Sequence, residues 1–469
     1  MANSKPLMIL HWFRRDLRLD DNPALTAAYR GSGGCVVPVF VLSDWRGQHR
    51  WTGPARQLAL CGSLRALADS LEKLGSRLIL RRGDAVQELE RLLVETRAEA
   101  LYFNRSPDPA GRALEIRVEA MALRLGVRTQ SFHDVTALAP GAVLTQSGNP
   151  FRVFTPFSRA WLKQTPLPTL APLGPLHPVP HLASLPLPTL ADWGLTSSVR
   201  LPDSGEPAAR ARMEAFFREA VFRYAAERDL PAADATSHLS TDLRWGTLSP
   251  RVLVQRCHAA IADAKTATLR DGPRKFLGEL IWREFYMAIL WHWPEVLEHE
   301  FQPAYKDLPW HEPGAAFQRW CEGTTGFPIV DAGMRQLAAT GWMHNRVRMI
   351  VAMFLTKDLH LDWRLGERFF MQHLSDGEIA SNNGGWQWSA GTGADAAPYF
   401  RIQNPWTQSA RFDPEGDYIK RWLPELRNVP ARALAKPPTA ALAPAYPLPM
   451  LDHAREREIT LAMYRRVSS

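Results

Sequence analysis

Cysteine is scarce in this 469-residue chain, and its spacing supports neither a disulfide framework nor a metal site. The four cysteines are scattered and form no CxxC pair; they are Cys35, Cys61, Cys257 and Cys321. Free thiols in a reducing compartment fit this pattern best. The 14 histidines form no HExxH motif and no paired Cys/His spacing, so we expect no metal ion.

Long apolar runs are absent as well. No stretch is long enough to cross a bilayer, and no charged-then-apolar leader opens the chain. We therefore expect a cytoplasmic protein without a membrane partner. Hydrophobic residues make up 46% and charged residues 22% of the chain, as in soluble globular proteins. The length is enough for two domains with substantial cores.

Positive charge and tryptophan are what the chain has in excess. A net charge of +8 suits a polyanionic partner such as nucleic acid, although an Arg-rich proteome explains it equally well. Seventeen tryptophans suit stacking on bases or on a flat cofactor, and many of them could also be core residues.

Short apolar runs alternate with helical patterns in the first 135 residues, which predicts a parallel, doubly wound α/β sheet. The predicted strands are Met8–Phe13, Cys35–Leu42, Leu78–Leu80, Ala100–Asn104 and Val127–Phe132. The predicted helices are Gly53–Leu74, Ala85–Thr96 and Ala110–Leu125. No Gly-rich phosphate loop follows the first strand, and any ligand would bind at the carboxyl ends of the strands.

The composition then changes twice. Eight prolines between Thr165 and Leu190 predict an extended connector. After Glu206 the apolar spacing is helical throughout. We predict three parts: an α/β domain at 1–135, a linker at 136–205 and an all-helical domain at 206–469. The predicted helices are Met213–Arg228, Pro250–Ala264, Arg274–Trp291, Ala315–Glu322, Asp331–Asp358, Leu365–Leu374 and Asp452–Val467.

The stretch Asp376–Pro405 is dense in Asn, Gly and Trp and has almost no amphipathic pattern. Tight backbone, amides and flat aromatics together favour a pocket for a polycyclic cofactor. Within it, Gly391–Ala396 fits the G-x-G-x-x-A dinucleotide pattern, but no buried strand precedes it, so we interpret the match as chance.

This stretch, NNGGWQWSAGTGADAAPYFRIQNP, closely resembles the core signature of the DNA photolyase and cryptochrome family. The resemblance begins at Trp12 with WFRRDLRLDDNPAL and continues to Glu425. It is strongest to bacterial class I cyclobutane pyrimidine dimer photolyases. It implies an N-terminal antenna domain, an all-helical domain that binds FAD and UV-damaged DNA, and a monomer. It also implies light-driven repair by electron transfer from excited reduced FAD to a flipped-out lesion.

The resemblance assigns FAD-binding residues to several segments. Hydroxyl groups suit a diphosphate, although Ser and Thr also cap helices. Arg348 is expected to pair with Asp376 beside the flavin, and Asn382 to face flavin N5. The implied cofactor contacts are Tyr224, Thr236, Ser237, His238, Leu239, Ser240, Arg283, Asn345, Arg348, Asp376, Gly377, Glu378 and Asn382.

The lesion pocket is expected on two helices. Spacings of three and four place Glu279, Trp282, Arg283 and Tyr286 on one helix face. Glu279 could simply pair with Arg283. The resemblance instead implies that Glu279 binds the damaged base, protonated because a dry aromatic pocket raises its pKa.

Residues 342–349 are predicted as a helix with Trp342, Asn345, Arg346 and Met349 on one face and Arg348 pointing elsewhere. Met349 fits the protein core equally well; the resemblance places it in the lesion pocket and gives it a catalytic role with Glu279 and Asn382. The implied DNA or lesion contacts are Arg228, Glu279, Trp282, Tyr286, Asn345, Arg346, Trp388, Arg401 and Gln408.

Three of the tryptophans match the family's electron-transfer chain, from Trp386 through Trp363 to a surface-facing Trp310. Without the resemblance they could be structural. The antenna chromophore is less defined. The Asn-Glu pair of folate-binding relatives is absent at Ala110-Gly111, and Pro109–Arg112 resembles the branches that use a deazaflavin or another flavin. An antenna site without a chromophore stays open as an alternative.

Three other functions stay open. A cryptochrome-like photoreceptor would bind flavin without repair, but Glu279, Trp282, Met349 and Trp388 match the repair pocket. A (6-4) photoproduct photolyase would place histidines in the pocket, and the segment WMHNRVRM lacks that arrangement. A nucleic-acid-binding module without turnover does not explain the flavin signature.

Overall fold

The computed structural model describes residues 7–164, 168–179 and 181–468. Its N-terminal region is a five-stranded, fully parallel sheet with the order β3-β2-β1-β4-β5. The predicted doubly wound sheet is therefore confirmed, with boundaries that differ by at most two residues. The strands are β1 Ile9–Phe13, β2 Val36–Leu42, β3 Ile79–Arg82, β4 Ala100–Asn104 and β5 Arg128–Phe132.

Four helices cover the two faces of the sheet. The first was missed because it is short and follows a charged segment; Asn22 caps it and accepts a hydrogen bond from the Leu25 N–H at 3.1 Å. Pro54 and Pro109 begin two others, as proline does at a first helical turn. These helices are α1 Pro23–Ser32, α2 Pro54–Lys73, α3 Ala85–Thr96 and α4 Pro109–Arg124.

The predicted connector contains one regular element. Helix α5, Phe154–Trp161, buries Phe157 and Trp161 against the helical region. A 3₁₀ turn follows at Leu190–Trp193. Much of the remaining Pro-rich segment has no regular structure, as expected, and its residues 165–167 and 180 lie outside the described residues.

The chain after Glu206 is helical, as predicted. Its helices are α6 Glu206–Ala215, α7 Val221–Glu227, α8 Ser240–Trp245, α9 Pro250–Asp263, α10 Ala267–His292, α11 Ala315–Glu322, α12 Pro328–Thr340, α13 Asn345–Met353, α14 Trp363–His373, α15 Ile379–Ala390, α16 Pro405–Phe412, α17 Asp417–Trp422, α18 Ala431–Leu434 and α19 His453–Ser468. Two π turns, Phe216–Ala220 and Phe354–Asp358, interrupt the pattern. Further 3₁₀ turns lie at Pro294–Leu297, Pro303–Tyr305 and Pro424–Leu426.

The prediction of one helix over Asp331–Asp358 is wrong. Helix α12 ends at Gly341, whose φ of +64° favours glycine, and α13 begins only at Asn345. Trp342 therefore precedes the helix that was expected to contain it. The π turn then ends the same predicted segment. Local backbone geometry decided these breaks, which apolar spacing does not record.

The absence of an amphipathic pattern hid helix α15. Its Gly384 and Gly385 lower helix propensity, but Gly384 lies where any Cβ would come within 2.1 Å of the Tyr286 ring. Packing against α10, not propensity, thus holds this helix. Gly391 ends α15, which confirms that Gly391–Ala396 follows a helix and not a strand.

The part of the chain that the structure describes lacks two features. None of its helices is both long and apolar enough to cross a membrane. No group of three or more His, Cys, Asp or Glu side chains is arranged to hold a metal ion.

Candidate cofactor and substrate site

A cavity of about 530 Å³ opens between the helices of the C-terminal region, within the usual size range of cofactor pockets. Helices α10, α13 and α15 and the segment before α8 contribute most of its lining. The structure thus brings together residues that are 165 positions apart in the sequence, from Tyr224 to Ser389. The predicted residues that line it are Tyr224, Arg228, Thr236, Ser237, His238, Leu239, Ser240, Glu279, Trp282, Arg283, Tyr286, Asn345, Arg348, Met349, Asp376, Gly377, Glu378, Asn382, Trp386 and Trp388.

Helix α10 supplies one wall. Glu279, Trp282, Arg283 and Tyr286 all face the cavity, as their spacing predicts. Glu279 does not pair with Arg283: its carboxylate accepts a hydrogen bond from Arg228, and its side chain is 28% exposed. The environment of Glu279 is therefore not purely aromatic and apolar, because a guanidinium contacts its carboxylate.

Arg228 is held in this position by several groups. Its side chain is 13% exposed, lies 3.7 Å from Asp229 and stacks 5.3 Å from the Tyr224 ring centroid. Burial disfavours its charge, but the hydrogen bond and charge of Glu279 outweigh burial and raise the pKa of Arg228. Arg228, bound to Glu279, therefore places a fixed positive charge in the cavity lining.

One face of the Trp282 ring is covered by another aromatic side chain. Phe154 of α5 stacks on it with ring centroids 3.6 Å apart and planes 7° apart. The sequence did not single out Phe154, because it lies in the predicted linker. Trp388 also lines the cavity. A flat ligand can thus stack on the exposed face of Trp282, whose position Phe154 fixes from behind.

The expected pair of Arg348 and Asp376 is present, with 2.8 Å between Nη2 and Oδ2. Arg348 Nε also donates to the Met343 carbonyl at 2.7 Å. Arg348 lines the cavity, so the prediction that it points away from Asn345 and Met349 is wrong. Arg348 follows Asn345 by three positions on α13, a spacing that places the two side chains on the same side of the helix. Met349 also lines the cavity and is not fully buried, so the core alternative is excluded.

Arginines that the sequence did not reveal surround Glu378. Arg15, from the loop after β1, approaches its Oε1 at 3.2 Å, and the Ser381 N–H donates to Oε2 at 3.0 Å. Burial alone would raise the pKa of Glu378, but Arg15 and Arg283 outweigh it and lower that pKa. Arg15 is distant in sequence and carries no local signal of this role.

Two partly exposed arginines that line the cavity lose part of their usual basicity. Burial lowers the pKa of Arg244 well below its usual range, and the charges of Arg15 and Arg56 add to this. Burial also lowers the pKa of Arg283 to about 10, with Glu378 opposing the shift. Arg283 donates to the carbonyls of Val135 and Leu243 at 2.6 and 3.2 Å, so backbone groups satisfy it.

Asn382 is oriented by its neighbour helix. Its Nδ2 donates to the Glu367 carbonyl of α14 at 3.1 Å, which leaves the amide oxygen as an acceptor for a ligand. Asn383 is buried, and its Nδ2 donates to Glu367 Oε1 at 2.9 Å, in agreement with a structural role. Burial raises the pKa of Glu367 to about 7, and the Asn383 hydrogen bond opposes the shift.

The segment before α8 lines the opposite end of the cavity. His238 has a φ of +52°, and its ring is tilted against the Trp342 ring with centroids 4.7 Å apart. Its Nε2 lies 3.0 Å from Asp234 Oδ1. The hydroxyl-bearing residues Thr236, Ser237 and Ser240 also line the cavity. Helix α8 begins at Ser240.

Five predicted residues lie outside the cavity lining. Arg346 pairs with Asp229 at 2.9 Å and stacks over Phe412, and Arg401 is exposed. Trp363 is fully buried. Trp310 is partly exposed, and its indole N–H is buried without a hydrogen-bond partner among the described residues. The five residues are Trp310, Arg346, Trp363, Arg401 and Gln408.

Other cavity residues were not predicted. They include bulky apolar side chains and two cations. Their positions in the sequence form no motif of their own that would have indicated a role in the cavity. These residues are Leu243, Arg244, Lys275, Phe276, Leu280, Trp342, Met343, Ala352, Phe370, Leu374, Ser381, Gly385 and Ser389.

The cavity is suited to a ligand with both charged and flat parts. Asp376 Oδ1 and Arg244 Nη1 are buried without a hydrogen-bond partner in the described chain. Buried polar atoms of this kind normally have partners. Aromatic walls, unpaired polar atoms and a hydroxyl-rich edge in one cavity fit the adenine, flavin and diphosphate parts of FAD.

Sequence models of two families match the chain. The first, described as DNA photolyase, matches residues 9–177, and the second, described as the FAD binding domain of DNA photolyase, matches residues 276–466. The matched segments contain the sheet and most of the cavity.

Individual proteins are similar over almost the whole chain. A deoxyribodipyrimidine photo-lyase from Synechococcus is 40% identical, with 98% of this chain and 97% of the relative covered. The crystal structure of a class III photolyase from Agrobacterium tumefaciens has a TM-score of 0.90, 38% identity and coverage of 100% and 99%. A Synechocystis cryptochrome structure has a TM-score of 0.89 and 29% identity, covering 98% of this chain and 100% of that one.

Proposed function

Because the chain belongs to the DNA photolyase family, we propose that it splits cyclobutane pyrimidine dimers in UV-damaged DNA with light and bound FAD. When bound, reduced FAD supplies the excited electron that opens the dimer ring, and the electron returns after the ring has split. The observation that carries the proposal is that unpaired buried polar atoms and aromatic walls meet in one cavity. The class within the family, class I from the sequence motifs, stays a prediction.

The cofactor end of the cavity is the part that holds FAD. The segment Thr236–Ser240, with Tyr224, binds the diphosphate. Asp376, paired with Arg348, and Glu378 bind the flavin or its adenine part. The remaining proposed contacts are Arg283, Asn345, Gly377 and Asn382. Asn382 presents its amide oxygen to flavin N5 because Glu367 already accepts its N–H.

The lesion end lies between Trp282 and Trp388. The dimer stacks on the free face of Trp282, with Tyr286, Met349 and Asn345 beside it. Glu279 binds a base of the dimer and exchanges its Arg228 partner for it. Lesion binding also excludes water from the reacting bonds, which strengthens these polar contacts.

Four residues contact the DNA backbone in this proposal. Arg228 lies at the cavity rim, and Arg346, Arg401 and Gln408 lie outside the lining. Cations on phosphates make the affinity strongly dependent on salt. Trp386, Trp363 and Trp310 pass electrons inward when the cofactor is reduced by light.

Four finer expectations are proposals as well. The parts 1–135, 136–205 and 206–469 act as antenna domain, linker and catalytic domain, and the protein is a cytoplasmic monomer. A second chromophore, if one binds, is a deazaflavin or another flavin in preference to folate.

The first test is spectroscopic. We expect flavin absorption in protein purified in the dark, and recovery of thymine absorbance when reduced enzyme and dimer-containing oligonucleotide are exposed to blue light. Flavin without recovery would favour the photoreceptor, whose fold is equally similar. An added near-ultraviolet or violet band would identify the second chromophore, and absence of flavin would contradict the cofactor site.

Glu279→Ala tests the lesion site separately from the cofactor site. We expect the repair yield to fall roughly tenfold, since a charge-assisted hydrogen bond to the substrate is lost, with flavin content unchanged. Glu298→Ala is the matched control, because that carboxylate is 61% exposed and outside the cavity. Loss of flavin from Glu279→Ala would contradict the assignment of Glu279 to the substrate.

A further inference from the structure

Trp363 has an unusual hydrogen-bond partner. It is fully buried, and its Nε1–H donates to Oε1 of Glu300 at 3.2 Å. Glu300 is itself 5% exposed. The indole N–H of Trp310, in contrast, is buried without a partner within the described residues. A buried carboxylate therefore faces one tryptophan of the proposed electron-transfer chain.

A cation lies on another side of the same ring. Arg364 Cζ is 4.6 Å from the Trp363 ring centroid, and Arg364 Nη2 lies 3.0 Å from Glu300 Oε2. Arg364 also donates to the Glu298 carbonyl and to Asp362 Oδ1. These contacts hold the guanidinium over the ring while Glu300 neutralises it.

The segment that carries Trp363 contacts both Trp386 and the segment that carries Trp310, the other two tryptophans of the proposed chain. Residue Gly366, three positions later in α14, packs against Trp386 so closely that a Cβ would come within 2.1 Å of the indole. On the other side, His311, next to Trp310, donates its N–H to the His360 carbonyl at 2.8 Å, and it pairs with Leu361 in a β-bridge. The segment that carries Trp363 therefore makes both of these contacts, and the Glu300–Arg364 pair lies against Trp363 itself.

We propose that Glu300 is a positioning residue for light-driven cofactor reduction, which it favours by stabilising the positive charge that Trp363 carries while it is oxidised. This inference rests on the proposed function. A carboxylate bound to the indole N–H stabilises a cation in a low-dielectric interior, and it cancels the opposing charge of Arg364.

Neither Glu300 nor Arg364 gives or takes an electron in this process. Trp363 gives one electron to oxidised Trp386, which has reduced the excited flavin, and receives one from Trp310. An external thiol reduces Trp310. No covalent bond forms or breaks at Trp363, and the proton stays on Nε1.

Two substitutions should act in opposite directions. Glu300→Gln removes the carboxylate from the indole N–H and leaves Arg364 with Asp362 as its remaining ion-pair partner among the described residues, so we expect photoreduction in the presence of a thiol to slow about tenfold or more. Arg364→Met removes that cation, so photoreduction should be at least as fast as in the wild type. The double variant should approach the wild-type rate. A purely structural role would slow both single variants.

A second readout needs no photochemistry. In ¹⁵N-tryptophan-labelled protein, the Trp363 indole signal, assigned by its loss in Trp363→Phe, should move upfield in Glu300→Gln. The Trp161 indole signal is the internal control, because its N–H donates to another buried carboxylate, Glu284, at 2.6 Å. Its signal should not move.

The outcomes separate this inference from the function on which it rests. Wild-type photoreduction in Glu300→Gln or in Trp363→Phe, equal slowing in both single variants, or an unmoved Trp363 signal would each overturn the role of Glu300. Repair by chemically reduced wild-type enzyme tests the proposed function alone, since chemical reduction bypasses the tryptophans.

Discussion

Two clusters of arginines and carboxylates, one at the sheet edge and one in the helical cavity, differ in the room that they leave for a ligand. At the carboxyl edge of the sheet, Arg14 binds Glu115, and Asn104 Nδ2 donates to Asp16 Oδ2 at 2.6 Å. The free space there is about 10 Å³, against about 530 Å³ in the helical cavity. In the helical cavity, Asp376 keeps a buried oxygen without a partner.

The difference shows that clustered charge alone does not make a binding site. At the sheet edge the polar groups fill the crevice by pairing with one another, as buried groups normally do. In the helical cavity, aromatic side chains and α15 hold them apart. Arg15 lies between the two places: it approaches Asp108 at 3.8 Å and Glu378 at 3.2 Å, and its Nε is buried without a partner.

Breaking the sheet-edge cluster should cost stability most. Asp16 is 1% exposed and accepts hydrogen bonds from Asn104, Asn22 and the Arg14 N–H. Asp16→Ala would leave these donors unpaired, so we expect unfolding to become easier by roughly 3–5 kcal/mol, measured by denaturant titration. Asp16→Asn, which keeps one acceptor, should cost less; equal or negligible losses in both variants would contradict this account.

The burial of the Glu367 carboxylate should make the free energy of unfolding depend on pH. Burial raises the pKa of Glu367 from 4.5 to about 7. Between these values the unfolded chain has lost a proton that the folded chain keeps, so this stabilising contribution is lost as the pH rises through about 7. Relative to Glu367→Gln, the wild type should lose up to roughly 3 kcal/mol between about pH 5 and about pH 8.

Equilibrium unfolding of both proteins across that range is the measurement. Glu298→Gln, a change at an exposed carboxylate, is the control and should show no such difference. A constant gap between wild type and Glu367→Gln would show that Glu367 ionises normally in the folded chain.

Breaking the helical cavity should cost ligand affinity and little stability. Asp376→Asn removes the negative charge that faces Arg348 and keeps the shape of the side chain at position 376. We expect FAD to bind about 10- to 100-fold more weakly, because a charge-assisted contact is lost. Flavin titration of the apoprotein measures the affinity, and thermal unfolding of the same apoprotein is the control. Unchanged affinity with lowered stability would place Asp376 with the sheet-edge cluster instead.

The sheet could be predicted because its strands are short apolar runs separated by amphipathic helices. Helices α3 and α11 were predicted with their observed boundaries for the same reason. Helix α15 could not be, since Gly384 and Gly385 weaken its propensity and buried contacts surround it. Tertiary packing supplied the stability that the local sequence lacks.

The sequence by itself determined the fold class, the all-helical second half and, through the resemblance of its motifs, most residues of the cavity lining. Only the tertiary structure decided which charges pair. Arg15 reaches Glu378 across 363 positions, Glu279 meets Arg228 and not Arg283, and Glu300 meets Trp363. Periodicity records which face of an element is buried, whereas ion pairs depend on where distant elements bring their side chains together.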